Sequence, residues 1–427
     1  MKHLGSEPMA MSGMRGWTAV TLVLVVLLVF SAGCTEAGQS GDGSSPGDDT
    51  TGYRTVVDSR GVAVQVPKDL DRVVTVSDGF IEGMMLALGE QEKIIAIGVN
   101  SPQRVYNYTY LTVAGATYEY RDGMQPVTYL YPRIRELPLV AGGAAINYEA
   151  LAGLDPDLMI IRVGSCAFYS MEKVDTTVQT VEALGIPVIV LKSPLYCNEQ
   201  NISTISDEIK ILGAIFGKEK KAGEHADYLE SQARLISERT KDIPEAERPT
   251  VLIFGAWPAD RKSGGGVGDV RGTDTIEHYF IEEIVHAKNA YRDTGDMVTI
   301  SAEQLLALDP DVIMLETAYG YHPAEELYTA PNYQIVGELS AIKNRRVFAF
   351  PFEPPNCAKR QEYPIELMMI AKAAYPERFA DIDLGEWLLD YYKNLYGVDD
   401  ETAKALRSAQ WMDWCVGDGH ESYAKQV

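Results

Sequence analysis

The chain has 427 residues, 46% of them apolar, and carries 38 basic against 61 acidic side chains, a formal charge of −23. That length exceeds one comfortable hydrophobic core and predicts two domains. The strong negative balance repels nucleic acid and anionic lipid headgroups, so a nucleic-acid partner is excluded and a well-solvated surface expected.

At the start, Lys2 and Arg15 precede an apolar run from Trp17 to Phe30, short for a membrane span but suited to the h-region of a signal. Ser31-Ala32-Gly33-Cys34 then resembles a lipobox, with Ser31 where Leu is usual. Residues 1–33 are expected to be a lipoprotein signal and Cys34 the lipidated residue; an uncleaved anchor is the alternative. Either arrangement places the remainder outside the cytoplasm, held at a membrane. Residues 34–53 are mostly Gly, Ser, Asp and Thr with almost nothing to bury, which predicts a disordered tether.

Thr55 to Pro67 alternates about Ser59-Arg60-Gly61 and reads as a β-hairpin. Arg72–Val76 is a buried strand, Ser77-Asp78-Gly79 caps a helix from Ile81 to Leu88, and Ile94–Gly98 is the next strand. Strand and helix keep alternating through Leu139-Val140, Leu158–Ile161, Val178–Leu184 and Pro187–Leu191, the signature of a parallel α/β lobe over residues 54–200. From 201 to 245 the pattern is helical. Ile202, Ile205, Ile209, Leu212 and Phe216 form one face, Gly217 interrupts, and a helix over 218–241 carries Ala222, Ala226, Leu229, Ala233 and Ile236 on one side. That helix would be about 35 Å long, enough to bridge two lobes. A second α/β lobe, 246–427, opens with Thr250–Phe254. It continues through the Gly-rich stretch Gly264–Asp269, read as a flexible cleft edge, a helix over Asp274–His286 and the strand Arg346–Phe350, and ends in helices.

One phrase occurs twice: Glu149-Ala-Leu-Ala-Gly-Leu-Asp-Pro-Asp-Leu-Met-Ile-Ile and Glu303-Gln-Leu-Leu-Ala-Leu-Asp-Pro-Asp-Val-Ile-Met-Leu. Each copy reads as a short helix presenting a carboxylate, a turn, and a buried strand. Two like lobes in one exported chain put a binding site in the crevice between them, at the carboxyl ends of the strands.

Cys166, Cys197, Cys357 and Cys415 are even in number in an exported chain, which favours disulfides. Sequence alone permits three pairings. Cys166 and Cys197 follow neighbouring parallel strands, so Cys166–Cys197 and Cys357–Cys415 are the expected pairs. No close Cys-x-x-Cys spacing supports a metal site.

Asp58-Ser-Arg-Gly, Val66-Pro67, Arg72-Val-Val, Leu86-Ala-Leu-Gly89, Asn147-Tyr-Glu149 with Asp155-Pro-Asp157, Leu212-Gly213 with Phe216-Gly217, and Ile300-Ser-Ala-Glu303 with Asp309-Pro-Asp311 together resemble the periplasmic-binding-protein family that serves iron-siderophore, haem and cobalamin ABC importers. The likeness runs from about Arg54 to Asp383. It implies two Rossmann-like lobes with parallel sheets, joined by one long backbone helix and separated by a ligand cleft. It also implies a monomeric receptor with no cofactor of its own, which delivers a metal chelate to a permease dimer with ATPase subunits. In that family a Glu on each lobe docks with permease arginines, and the matching positions here are Glu149 and Glu303. Either Glu also serves simply as a favourable negative charge in a helix's first turn.

Loops at the strands' carboxyl ends supply the candidate ligand contacts: Ser77, Tyr106, Tyr108, Tyr120, Arg162, Trp257, Arg261, Tyr319, Tyr321 and His322. Val105–Tyr131 holds seven of the 24 tyrosines, whose flat faces and hydroxyls suit a planar or macrocyclic chelate. Arg162, Arg261, Lys262 and Arg271 offer charge for an anionic siderophore, or are plain surface cations. His322 is the histidine best placed for an axial metal contact, or an ordinary loop His. The ligand thus stands open among ferric siderophore, corrinoid and haem. An enzyme on the same architecture would need a nucleophile with a base or a metal cluster, and neither Gly-x-Ser-x-Gly nor His-Glu-x-x-His occurs. A surface adhesion lipoprotein is the third reading.

Overall fold

A computed structural model describes residues 52–142, 145–164, 171–196, 201–260, 266–317, 320–353 and 358–416. The expected signal, Cys34, most of the expected tether, Cys166, Cys197, Cys357, Arg261, Lys262 and Tyr319 lie outside these residues.

Residues from Thr51 onward form one compact unit. Its first sheet has four strands, in spatial order Val188–Lys192, Leu158–Val163, Val73–Val76 and Ile94–Ile97, all parallel. Every residue of Val73–Val76 and Leu158–Val163 is buried, as both faces of a parallel sheet must be when helices cover them. The hairpin Tyr53–Val57 with Ala63–Pro67 stands apart as its own antiparallel pair.

The second sheet is built around Thr250–Gly255, flanked in parallel by Val312–Leu315 and then Val347–Ala349, and by the short strand Lys288–Asn289. Its other side differs from the expectation of parallel strands alone. Gly266–Val270 pairs antiparallel with Thr250–Gly255, and Val298–Ser301 antiparallel with Gly266–Val270. The Gly-rich stretch, expected to be a flexible edge, is therefore a strand from Gly266 onward. Glycine suits it because a Cβ on Gly268 would lie 2.4 Å from the Phe254 ring.

Between the sheets the chain is helical. Ser203–Phe216 ends at Gly217 in the left-handed conformation (φ 63°), and Glu219–Thr240 follows. Ala222, Ala226, Leu229, Ala233 and Ile236, the five positions the spacing predicts, are buried, with Thr240 at the end of the same helix. They join a large core with strand residues of both sheets and the C-terminal helices Tyr363–Ala374 and Leu384–Tyr396. At about 1.5 Å per residue the long helix spans roughly 33 Å. Where the sequence predicts one helix over Asp274–His286, Ile276–Tyr279 passes into a π-turn at Phe280–Ile284.

The tyrosine segment forms an antiparallel hairpin, Tyr106–Leu111 with Thr117–Gly123. It leaves the chain next to a first-sheet strand, yet Tyr110 belongs to the core of the second sheet with Phe254, Tyr321, Phe352 and Trp411.

Candidate functional site

The two copies of the repeated phrase fold alike. Tyr148–Leu154 is capped by Asn147, whose side chain accepts from the Ala150 N–H, and Ala302–Leu308 by Ser301, which accepts from the Gln304 N–H. Both helices end on a left-handed Asp, Asp155 (φ 45°) and Asp309 (φ 37°). Past each turn, the third residue of Asp-Pro-Asp clamps the start of a strand. The Asp157 carboxylate accepts from the Asp71 and Arg72 N–H groups, each at 3.0 Å, and Asp311 from the Thr250 N–H at 2.8 Å. Glu149 and Glu303 thus occupy equivalent, exposed first-turn positions on the two halves. Its own backbone N–H, with the Ser301 side chain, holds the Glu303 carboxyl below the usual range, so it is anionic at neutral pH.

The junction at the strands' carboxyl ends is filled with ion pairs. Arg162, wholly buried, donates to both Glu208 oxygens at 2.8 Å and to Asp78 at 3.2 Å, and stacks 4.0 Å over the Phe80 ring. Its Nη2 also reaches across to the Ala358 carbonyl at 3.3 Å. Burial alone would pull the Arg162 pKa down; Glu208 and Asp78 outweigh it and keep the guanidinium charged. From the other side Arg360 donates to the Asp78 carbonyl at 3.4 Å and pairs with Glu353 at 3.3 Å. Glu353 also accepts from Gln410 at 2.6 Å. Burial and the neighbouring Glu362 push its carboxyl up to about 8. Ser77 is buried as well, its hydroxyl bonded to Glu82 and accepting the Gly79 and Ile81 N–H groups. Arg271 pairs with Glu316 and Asp296 and lies 6.0 Å over the half-buried Trp257 ring. The cations the sequence offers to an anionic ligand are, where described, already neutralised by the protein.

Beside this junction the tyrosine hairpin roofs the second sheet. Tyr108 donates to Glu326 at 2.7 Å and lies 2.9 Å from His322 Nδ1, itself 2.7 Å from the same carboxylate. With the His322 proton on Nδ1, Tyr108 and His322 both donate to the Glu326 carboxylate. The His322 ring is 1% exposed, and that nitrogen is used within the protein. Main-chain bonds add to the attachment: the Val113 N–H donates to the Thr329 carbonyl at 2.8 Å, and the Met124 N–H to Ala409 at 3.0 Å. Trp411 Nε1 donates to the Arg121 carbonyl at 2.7 Å. Gly123 ends the hairpin against Trp411, where a Cβ would lie 2.4 Å from the indole.

Under this roof is a cavity of about 400 Å³, lined by Tyr118, Tyr120, Tyr321, Trp411, Trp414 and Glu325 among others. A volume of that order fits a small ligand or one face of a larger one. Burial pushes the Tyr120 hydroxyl up to about 12, so it stays a neutral donor.

Of the sequence-predicted residues, Tyr120 and Tyr321 meet in the cavity, with ring centroids 5.1 Å apart. Tyr108 and His322 meet in the hairpin's attachment. Tyr106 packs edge-on to Phe352 at 5.0 Å. Arg162 and Ser77 are internal, and Trp257 lies with Arg271. Sequence reasoning missed Trp411, Trp414 and Glu325. Two of only five tryptophans, three residues apart beyond the last helix, were the available signal. No disulfide forms among the described residues, where Cys415 is a buried thiol raised by that burial to about 12. Among the described residues no group of His, Cys, Asp and Glu is arranged to hold a metal ion, and no helix is long and apolar enough to cross a membrane.

Comparison with known proteins agrees with this architecture. An ABC transporter substrate-binding lipoprotein of Bacillus subtilis, YvrC, itself uncharacterised, is 22% identical over 86% of this chain and 98% of its own length. The molybdate-binding protein MolA of Haemophilus influenzae is 21% identical over 80% of this chain and 93% of its own. A periplasmic solute-binding protein structure from Veillonella parvula superposes with a TM-score of 0.64 at 19% identity, covering 83% of this chain and 96% of that one. The periplasmic binding protein family profile matches residues 77–354, and with two lobes about a helical spine the chain belongs to that family.

Proposed function

We propose that this protein is the extracytoplasmic substrate-binding component of an ABC importer, anchored through a lipid on Cys34, and that it captures a metal chelate for a permease dimer driven by its ATPase subunits. It acts by binding, not catalysis. The observation that carries the reading is the pair Glu149 and Glu303: two exposed carboxylates at the same position of two equivalently capped helices, one on each half. Such a pair matches a two-fold partner, with charge-assisted arginine contacts fixing the register. The kinship with a substrate-binding lipoprotein supports the same role.

For the ligand, the aromatic cavity under the hairpin supports a chelate with a flat, conjugated face, a corrinoid or haem as readily as a ferric siderophore. Tyr120 and Tyr321 are the proposed direct contacts. Tyr106, Tyr108 and His322 shape the cavity from behind.

Two experiments test this. Native mass spectrometry and absorbance of protein purified from its source, screened against ferric chelates, corrinoids and haem, should give a coloured 1:1 complex; failure of every chelate to bind would contradict the ligand reading. Glu149→Arg with Glu303→Arg should abolish uptake while leaving ligand affinity and the unfolding midpoint unchanged; undiminished uptake would rule out docking through these residues.

A further inference from the structure

The cavity beneath the tyrosine hairpin has a charge character that the chelate reading alone does not specify. Tyr120, Tyr321 and Trp411 hold one another in place: Tyr120 and Trp411 centroids are 5.7 Å apart and Tyr321 and Trp411 4.7 Å apart, and Trp411 is backed by Phe352 at 4.4 Å. Rings fixed by their neighbours form an electron-rich wall that does not have to be ordered by the ligand.

The acidic side chains of the lining are Glu325 and Asp413, and among the described residues no Lys, Arg or His lines it. Asp413 is paired with Arg407 at 3.0 Å. Glu325 is different. Its Oε2 is buried and has no hydrogen-bond partner among the described residues. Arg345, whose charge acts on it, is stacked 4.7 Å over the Tyr328 ring. Burial raises the Glu325 carboxyl above its ordinary range, and Arg345 offsets this in part. An anion entering the cavity would face a carboxylate that Arg345 offsets only in part, and a neutral ligand without a donor would leave its buried oxygen unsatisfied. A cation of low charge density satisfies the rings and the carboxylate together.

We propose that this cavity selects a ligand bearing a diffuse positive charge, an alkylammonium group or the cationic face of a metal chelate, seated on Tyr120, Tyr321 and Trp411 against Glu325. The inference rests on reading the cavity as the place where the transported molecule is held. It excludes strongly anionic ferric chelates as the cargo.

The probe is choline, compared with its uncharged isostere 3,3-dimethylbutan-1-ol, in calorimetric titrations of the purified protein. Choline should bind saturably and at least tenfold more tightly than the alcohol. Glu325→Gln should weaken choline at least fivefold while leaving the alcohol and the unfolding midpoint unchanged, and Glu325→Asp should recover part of the loss. Equal affinity for the two probes, no saturable choline binding, or an unaffected Glu325→Gln variant overturns the proposal. Retention of a chelate in the native screen with choline silent removes the cation assignment alone. Choline binding as stated with no chelate retained removes the chelate reading alone.

Discussion

The junction between the sheets and the cavity under the hairpin are neighbours built from opposite materials. At the junction, Arg162, Arg360, Asp78, Glu208 and Glu353 are buried and bonded to one another, so the two guanidinium groups are engaged within the protein. In the cavity, five aromatic side chains and the Glu325 Oε2, unpartnered among the described residues, surround open volume. Buried ion pairs contribute little net stability but are costly to break, whereas preformed aromatic walls are energetically ready for a guest. The difference assigns structure to the charges and recognition to the rings.

The largest test of that division is Arg162→Ala. It leaves Asp78 and Glu208 buried without their counter-ion, and urea unfolding should show a loss of about 3–5 kcal/mol. A loss under about 1 kcal/mol, the scale of an exposed pair, would mean the junction is solvated and open to ligand.

A second test uses pH. The Glu353 carboxyl is raised to about 8 from an ordinary 4.5, so above pH 4.5 the folded state binds more protons than the unfolded one. Stability should therefore fall as pH rises from about 4.5 to about 8 and level off beyond. Asp269, also raised to about 8, mainly by burial, adds a decline of the same sign. Thermal unfolding of Glu353→Gln across that range should show a shallower decline than the parent. A slope equal to the parent's would mean that Glu353 does not carry the effect.

A smaller effect belongs to the hairpin. Tyr108→Phe removes the hydroxyl shared with Glu326 and His322 and should cost about 1–3 kcal/mol, because the buried Glu326 loses a donor. No change in unfolding would show that ring packing alone seats the hairpin.

How much of this was legible in the sequence differs between the same regions. Local regularities were readable. The repeated phrase foretold two equivalent helix-turn-strand units down to Glu149 and Glu303, and the spacing from Ala222 to Ile236 foretold the buried stripe of the long helix. Contacts made over long separations were not. Arg162 looks like a loop cation until Glu208, 46 residues on, and Asp78, 84 residues back, are folded against it. The antiparallel strand Gly266–Val270 was hidden because glycine is scarce in strands and conveys no alternation. The tyrosine segment stood out in the sequence, but its packing on the second sheet depends on Trp411, 290 residues beyond its partner Arg121.

The most direct test of the account is the affinity of chelates from the ferric, corrinoid and haem panel for two variants, followed by absorbance. Tyr120→Ala, in the cavity wall, should weaken binding about tenfold, a loss of about 1.4 kcal/mol, while Glu353→Gln, at the junction, should leave it within about twofold. Full affinity in Tyr120→Ala together with lost affinity in Glu353→Gln would move recognition to the charged junction and contradict the division drawn here.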